Sequence, residues 1–215
     1  MAWRCSAALL LALACIPARA EDDLAPGKLL VAARELGDPN FAHAVVLLID
    51  YNNDKGSMGL IVNRRTEVPL SRVLADLKDA KSRTDPIYVG GPVELTTVLA
   101  LMKSAAKPEN AKPVFAGVYL MNTRELLEKA LAAHPDPNVF HVYAGYAGWG
   151  AGQLEHEVEL RAWHIMPADP ALVFHSDPES IWPRLIQRTE QQIARNNGHL
   201  RPNGPGVGLE TARGH

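Results

Sequence analysis

Cysteine is almost missing from this chain: its 215 residues include two, Cys5 and Cys15, both near the amino terminus. Past Cys15 there is no residue to form a disulfide, a thiolate nucleophile or a thiolate-ligated metal site. Basic runs are missing too. The longest is Arg64-Arg65 in a chain of formal net charge −2, so the electrostatic footprint of a nucleic-acid binder is lacking. A membrane-spanning helix needs about twenty apolar residues in succession, and the apolar run at residues 7–16 stops well short of that.

That run has a different reading. Arg4 gives a short basic start, Pro17 ends the apolar stretch, and Ala18-Arg19-Ala20 puts small residues at both cleavage-site positions. Residues 1–20 are therefore expected to be a signal peptide cut after Ala20, and the product periplasmic or secreted. Both cysteines leave with it. Ala12-Leu13-Ala14 has its bulky residue one position from where lipoprotein signals place it, so membrane attachment enters only if Cys15 is lipidated.

The remainder is long enough for one domain, expected over residues 21–195. A strand is read at 27–32, a turn at Asp38-Pro39-Asn40, and a hairpin of strands 44–50 and 58–62 about a connector holding Asn52, Asn53, Asp54 and Gly56. Leu70, Val73, Leu74 and Leu77 recur with helical spacing behind Pro69. Strands follow at 87–89, 98–102 and 114–120, then a helix at 124–133 capped by Thr123. Further strands are expected at 139–144, 163–166 and 172–174, with a helix at 153–160 between the first two. The last helix starts after Ser180, with Pro183 in its first turn. From Asn196 to 215 the chain is rich in Gly and Pro, and a disordered tail is expected. Strands and helices alternate too irregularly for a doubly wound sheet, so the fold class is α+β: a single compact domain of mixed, coiled sheets with about four helices.

Four segments carry a family resemblance. They are Asp38-Pro39-Asn40-Phe41; Gly56-Ser57-Met58-Gly59-Leu60-Ile61-Val62-Asn63-Arg64; Val89-Gly90-Gly91-Pro92-Val93; and Gly145-Tyr146-Ala147-Gly148-Trp149-Gly150-Ala151-Gly152-Gln153-Leu154-Glu155, with an echo in Trp163 and Pro167-Ala168-Asp169-Pro170. In this order they resemble the AlgH/YqgE family of small bacterial proteins. The resemblance implies a compact fold of coiled, mixed sheets and a function that is not established; some members are labelled transcriptional regulators. The chain departs from the pattern in its export signal, in Arg65 and Ala151 where proline is common, and after Gly91-Pro92, where an Arg-Gly-Phe character is lost.

The chemistry-bearing residues form no recognised set. Gly56-Ser57-Met58-Gly59 enters a strand from a hairpin, whereas a nucleophile elbow needs a strand-to-helix turn. Gly90-Gly91-Pro92 lacks the lysine and the helix start of a phosphate loop. His43, His134, His141, His156, His164, His175 and His199 show no zinc spacing, and Glu155, Glu157 and Glu159 face apart on a helix. No catalytic residue, metal or cofactor is assigned. The stretch 145–152 is the candidate binding loop, with Trp149 as a stacking surface, Gln153 and Glu155 as polar contacts, and Asn63 from the second segment alongside them. Its competing reading is tight packing between a strand and a helix.

The leading expectation is an exported, non-enzymatic binding or accessory protein with an unknown protein or small-molecule partner and no nucleic acid. The first alternative is a hydrolase assembled from distant residues such as Ser57, His141, Glu155 or Asp169. The second is a regulator acting through protein contacts. Ligand identity and oligomeric state stay open.

Overall fold

The computed structural model describes residues 24–199. The expected signal peptide at 1–20 lies outside them, as does most of the expected tail. Ten strands and five α-helices follow one another: β1 (Lys28–Ala32), β2 (Val45–Asp50), β3 (Ser57–Ile61), β4 (Arg65–Pro69), α1 (Leu70–Val73), β5 (Pro86–Val89), β6 (Val93–Lys103), β7 (Lys112–Phe115), β8 (Val118–Met121), α2 (Arg124–Ala132), β9 (Phe140–Trp149), α3 (Gln153–Glu159), β10 (Trp163–Pro167), α4 (Pro170–Val173) and α5 (Ile181–His199). This is the expected α+β class, a mixed domain built on a curled, largely antiparallel sheet.

The strand order is β10-β1-β2-β3-β9-β6-β8-β7, with the β4–β5 pair joined to it through β5 and β9. All the pairs are antiparallel except β5 with β9. The sheet curls until its far edge meets its beginning: Lys112 at the start of β7 bonds Asp50 at the end of β2 at 3.0 Å. A Cβ on Gly27, just before β1, would stand 2.7 Å from that of Phe115 in β7.

Alternation along the strands sorts side chains into two cores. Leu99, Leu101 and Tyr143 join the larger one with β1, β2, β3 and α5, whereas Ala100, Phe140 and Val142 face a smaller one built from Leu70, Leu74, Leu77 and the apolar stripe of α2. β2 is buried from Val45 to Ile49 because both of its faces are covered, which is why it reads as an unbroken apolar run.

β9 is the strand on which the two halves depend. Along one edge its residues 147–149 pair with β3, while Tyr143 and Ala144 pair with β5. Its other edge pairs with β6 between Phe140 and Tyr146, where residues 94–97 bulge out between the Val93–Tyr146 and Val98–Ala144 pairs. Where β3 gives way to β5, Gly90 and Gly91 lie flat on the β9 backbone. Gly90 N donates to Ala144 O at 2.9 Å and Gly90 O accepts from Ile61 N at 2.8 Å. A Cβ on Gly90 would fall 2.3 Å from the Gly145 carbonyl oxygen.

Several expectations change. The glycines at 145 and 148, expected in a loop, lie inside β9, with Gly145 at φ 69° accommodating the bulge. The helix on Leu70, Val73, Leu74 and Leu77 is a single turn, because Pro69 offers no side-chain cap and Leu74 leaves helical geometry at φ −111°, ψ 42°. Leu70, Leu74 and Leu77 are buried all the same, through a 3-10 turn at Lys78–Ala80. The strand at 114–120 is a hairpin, β7 and β8, turning at Ala116 and Gly117, both at positive φ. The strand at 172–174 is replaced by α4, whose cap Asp169 accepts from Ala171 N at 2.8 Å with Pro170 at the first helical position. β4 was not anticipated, and α5 continues past Asn196 to His199, shortening the expected tail.

Gly145→Ala is expected to destabilise the fold by at least about 2 kcal/mol, since its Cβ would lie 2.7 Å from Gly91 O and 2.9 Å from Val93 O at a positive φ. Urea unfolding followed by circular dichroism measures this.

Candidate functional site

Trp149 ends β9, is 5 % exposed, and has its ring covered on several sides. Phe41 stacks on it at 5.9 Å and 16°, and Trp163 meets it edge-on at 5.9 Å. Gly59 lies beside the ring on the neighbouring strand, where a Cβ would stand 3.4 Å from Cζ3. The polar atoms are also taken. Indole N–H groups of Trp149 and Trp163 donate to the same Glu157 oxygen, Oε2, at 2.9 and 2.7 Å. Gln153 Nε2 donates to Glu157 Oε1 at 2.8 Å, and Gln153 Oε1 accepts from Gly150 N at 3.1 Å. Glu157, in the sequence only one of three carboxylates that face apart on a helix, is the acceptor that closes this cluster.

The four candidate residues do not gather around one cavity. Trp149 and Gln153 share the Glu157 network. Glu155, half-buried on α3, is outside it, and its Oε1 is enclosed without a hydrogen-bond partner. Asn63 lies elsewhere: its Oδ1 accepts from Val45 N at 2.8 Å and its Nδ2 donates to His43 O at 2.9 Å, tying the entry of β2 to the end of β3.

Asn63 does line a cleft of about 400 Å³, together with Ala42, His43, Arg64, Glu179, Trp182 and Pro183. One wall follows from the Asp38 turn, in which Asn40 N donates to Asp38 Oδ1 at 2.8 Å. The chain then passes through His43 at φ 57°, a left-handed conformation that non-glycine residues seldom adopt. The His43 ring lies 4.1 Å from that of Trp182 on α5, and Trp182 is fixed by its indole N–H donating to Ala32 O at 2.8 Å. Arg64 sits between these walls, donating to the carbonyls of Asn40 at 2.8 Å and Ala42 at 3.3 Å. No carboxylate of the described residues pairs with its half-buried guanidinium, and loss of solvation pulls its pKa down.

A smaller cavity of about 150 Å³ lies at the other end of β9, next to His141 and Tyr88. Burial pushes the His141 pKa down to about 4, against weaker upward pulls from the Val173 carbonyl, Asp85 and the Pro137 carbonyl. Ser57 pairs with Trp149, eight residues along β9 from His141. At about 3.3 Å per residue that is roughly 26 Å, so the two cannot act as nucleophile and base.

Of the cleft residues, His43 figures in the sequence only as a histidine without zinc spacing and Arg64 only as the end of a family segment, while Glu179 and Trp182 are not singled out. His43 and Arg64 had a signal, since each follows a quoted segment or closes it. Trp182 and Glu179 had none, because α5 reaches this wall only in the folded chain.

The fold agrees with the comparisons. A family model described as AlgH-like matches residues 29–194. The chain belongs to this family. It is 38% identical over 172 residues to a UPF0301 protein of Thioalkalivibrio sulfidiphilus, covering 79% of this chain and 91% of the relative. A UPF0301 protein of Streptomyces avermitilis is 36% identical over 177 residues, with 78% and 88% covered. The solution structure of the AlgH protein from Pseudomonas aeruginosa superposes with a TM-score of 0.59 at 29% identity, over 88% of this chain and 95% of that one. A crystal structure from Corynebacterium diphtheriae, at 23% identity and a TM-score of 0.60 over 77% of this chain and 87% of that one, shares the fold. The family is uncharacterised, so membership brings the architecture and no activity.

Two outcomes test this account of the AlgH-like core. Glu157→Gln can keep its amide oxygen on the two indole N–H groups but then turns its own N–H toward the Gln153 amide N–H and loses the charge of the shared acceptor; it is expected to destabilise by about 1–3 kcal/mol, with red-shifted tryptophan fluorescence. His141 has a folded pKa of about 4 against 6.5 when unfolded, so the unfolded chain takes up the proton first. Its contribution is complete above about pH 6.5 and is lost as pH falls from 6.5 to 4, by up to about 3 kcal/mol. Thermal melts across this window should show the slope, and His141→Gln should flatten it.

Proposed function

We propose that this AlgH-like chain is an exported, non-enzymatic binding or accessory protein whose small ligand occupies the Arg64 cleft. The observation that carries the reading is the half-buried Arg64 guanidinium, which has no carboxylate partner among the described residues and stands in a cleft of about 400 Å³. Arginine stays charged at any physiological pH, and a cation in a partly desolvated site attracts an anion more strongly than one in water. An anionic group on the ligand is the natural partner of the guanidinium fork. His43 and Trp182, with ring centroids 4.1 Å apart, offer aromatic surface to a planar body. Glu179 on the α5 side favours a ligand whose other end carries a hydroxyl or an amine.

The strained His43 backbone supports the same reading, because left-handed non-glycine residues cluster where geometry is held for binding. The separation of Ser57 from His141 removes one pair from the hydrolase alternative, which makes binding the favoured reading. Export rests on the sequence of residues 1–20, and the absence of nucleic acid from the partners rests on the short basic run Arg64-Arg65.

Expression of the full chain in a Gram-negative host, with fractionation and mass spectrometry of the amino terminus, is expected to yield a periplasmic product beginning at Glu21. A cytosolic, uncleaved product would sink the export reading and restore a regulatory role through protein contacts; a lipidated Cys15 would replace a soluble product with a membrane-attached one. Native mass spectrometry against periplasmic metabolites should capture an anionic ligand. Arg64→Met should weaken it by about ten- to a hundred-fold, the effect of one charge-assisted hydrogen-bonded pair.

A further inference from the structure

The 150 Å³ cavity at the start of β9 has no part in that reading, and its make-up follows from strand register. Arg65 pairs with Tyr88 across β4 and β5, and Tyr88 pairs with Tyr143 across β5 and β9. His141, two residues before Tyr143, shares its face of β9. The Tyr88 and His141 rings consequently stack at 4.5 Å, with the Tyr88 hydroxyl 3.5 Å from His141 Nε2. Phe174 closes over His141 at 5.0 Å, and Arg65 reaches the Ser176 carbonyl at 3.3 Å, which brings its guanidinium to the mouth.

Hydrogen-bonding capacity is left over here. His141 is 8 % exposed, and its Nδ1 makes no well-formed hydrogen bond, the Val173 and Pro137 carbonyls lying only near enough to pull its pKa up weakly. Native proteins seldom leave such groups unmatched without a reason. The charges are also unbalanced. Asp85 on the cavity wall is already held by Arg83, through bonds of 2.7 and 2.9 Å. Arg65 pairs with no carboxylate among the described residues. The cavity therefore offers at its mouth one cation bonded only to a backbone carbonyl, neutral polar groups within, and aromatic walls from Phe140 and Phe174. A purely polar void of this size would hold a few waters; the guanidinium at the mouth is what waters do not need.

We infer that this cavity is a second ligand site, distinct from the Arg64 cleft, and that it takes a small aliphatic carboxylate. The carboxylate meets the Arg65 fork, the Tyr88 hydroxyl donates to one of its oxygens, and its apolar end lies against Phe140 and Phe174. One guanidinium neutralises one charge, and Asp85 stands nearby, so a phosphate dianion fits poorly.

Titration of the purified protein with propionate, followed by NMR through the ring signals of His141 and Tyr88, tests this. Saturable shifts are expected. Arg65→Gln should weaken binding by about ten- to a hundred-fold, and Tyr88→Phe, which keeps the ring, by about two- to tenfold. Arg64→Met should leave it unchanged. The inference is overturned if no shift saturates, if Arg65→Gln and Tyr88→Phe both bind like the parent, if Arg64→Met abolishes the shifts, or if inorganic phosphate binds as tightly as propionate.

Discussion

The close approach of residues 90 and 91 to β9 is the constraint on which the rest of the structure depends. A single strand has to pair with β3, β5 and β6 and supply side chains to two cores. The change of partner from β3 to β5 works only because a glycine backbone lies flat across it. A Cβ on Gly91 would fall 2.1 Å from the Tyr146 carbonyl carbon, a distance no side-chain adjustment relieves. From this crossing the chain leads into β6 and its bulge in one direction, and back through β5 to the Arg65–Tyr88 pair in the other. The glycines at 90, 91 and 145 are thus one packing solution read in two places along the chain.

The aromatic cluster around Glu157 is held by a related economy. Two indole N–H groups and one amide converge on a single carboxylate, so α3 is locked to the end of β9 and the start of β10. Trp149 and Gln153 spend their hydrogen-bonding capacity on each other's surroundings, and little is left to offer a ligand. The groups with capacity to spare lie elsewhere: Arg64 between the Asp38 turn and α5 and Arg65 on the far side of β9, each bonded to backbone carbonyls and to no carboxylate among the described residues, and the buried polar atoms of His141 and Tyr143. Arg64 and Arg65, adjacent in sequence, serve different cavities because the chain enters β4 between them.

Much of the architecture was legible beforehand for local reasons. The β2–β3 hairpin followed from its turn residues, α2 from Thr123 and its apolar spacing, α5 from Ser180 and Pro183. The differences have two causes: tertiary pairing overrode local pattern at the Leu70 repeat and in the glycine-rich stretch that became β9, and local turn or cap signals were weak or outweighed at residues 116–117 and 169–170. The Leu70 repeat satisfies a helix on paper, yet those leucines are buried as well by one turn and a 3-10 segment. Ala116-Gly117 carries the weak signal of a tight turn, because alanine rarely takes a positive φ. Asp169-Pro170 is a readable cap and first-turn pair, outweighed in the sequence pattern by the apolar residues behind it.

By itself the sequence determined the α+β class, the membership carried by four glycine-rich segments, and the lack of cysteine chemistry beyond Cys15, since these depend on composition and on motifs contiguous in the chain. The tertiary structure alone decided that the glycine and tryptophan stretch is strand and core. It alone separated Ser57 from His141, and it alone brought His43, Arg64 and Trp182 to one cleft. A cavity is a relation between segments far apart in sequence, and only the curl of the sheet around β9 establishes that relation.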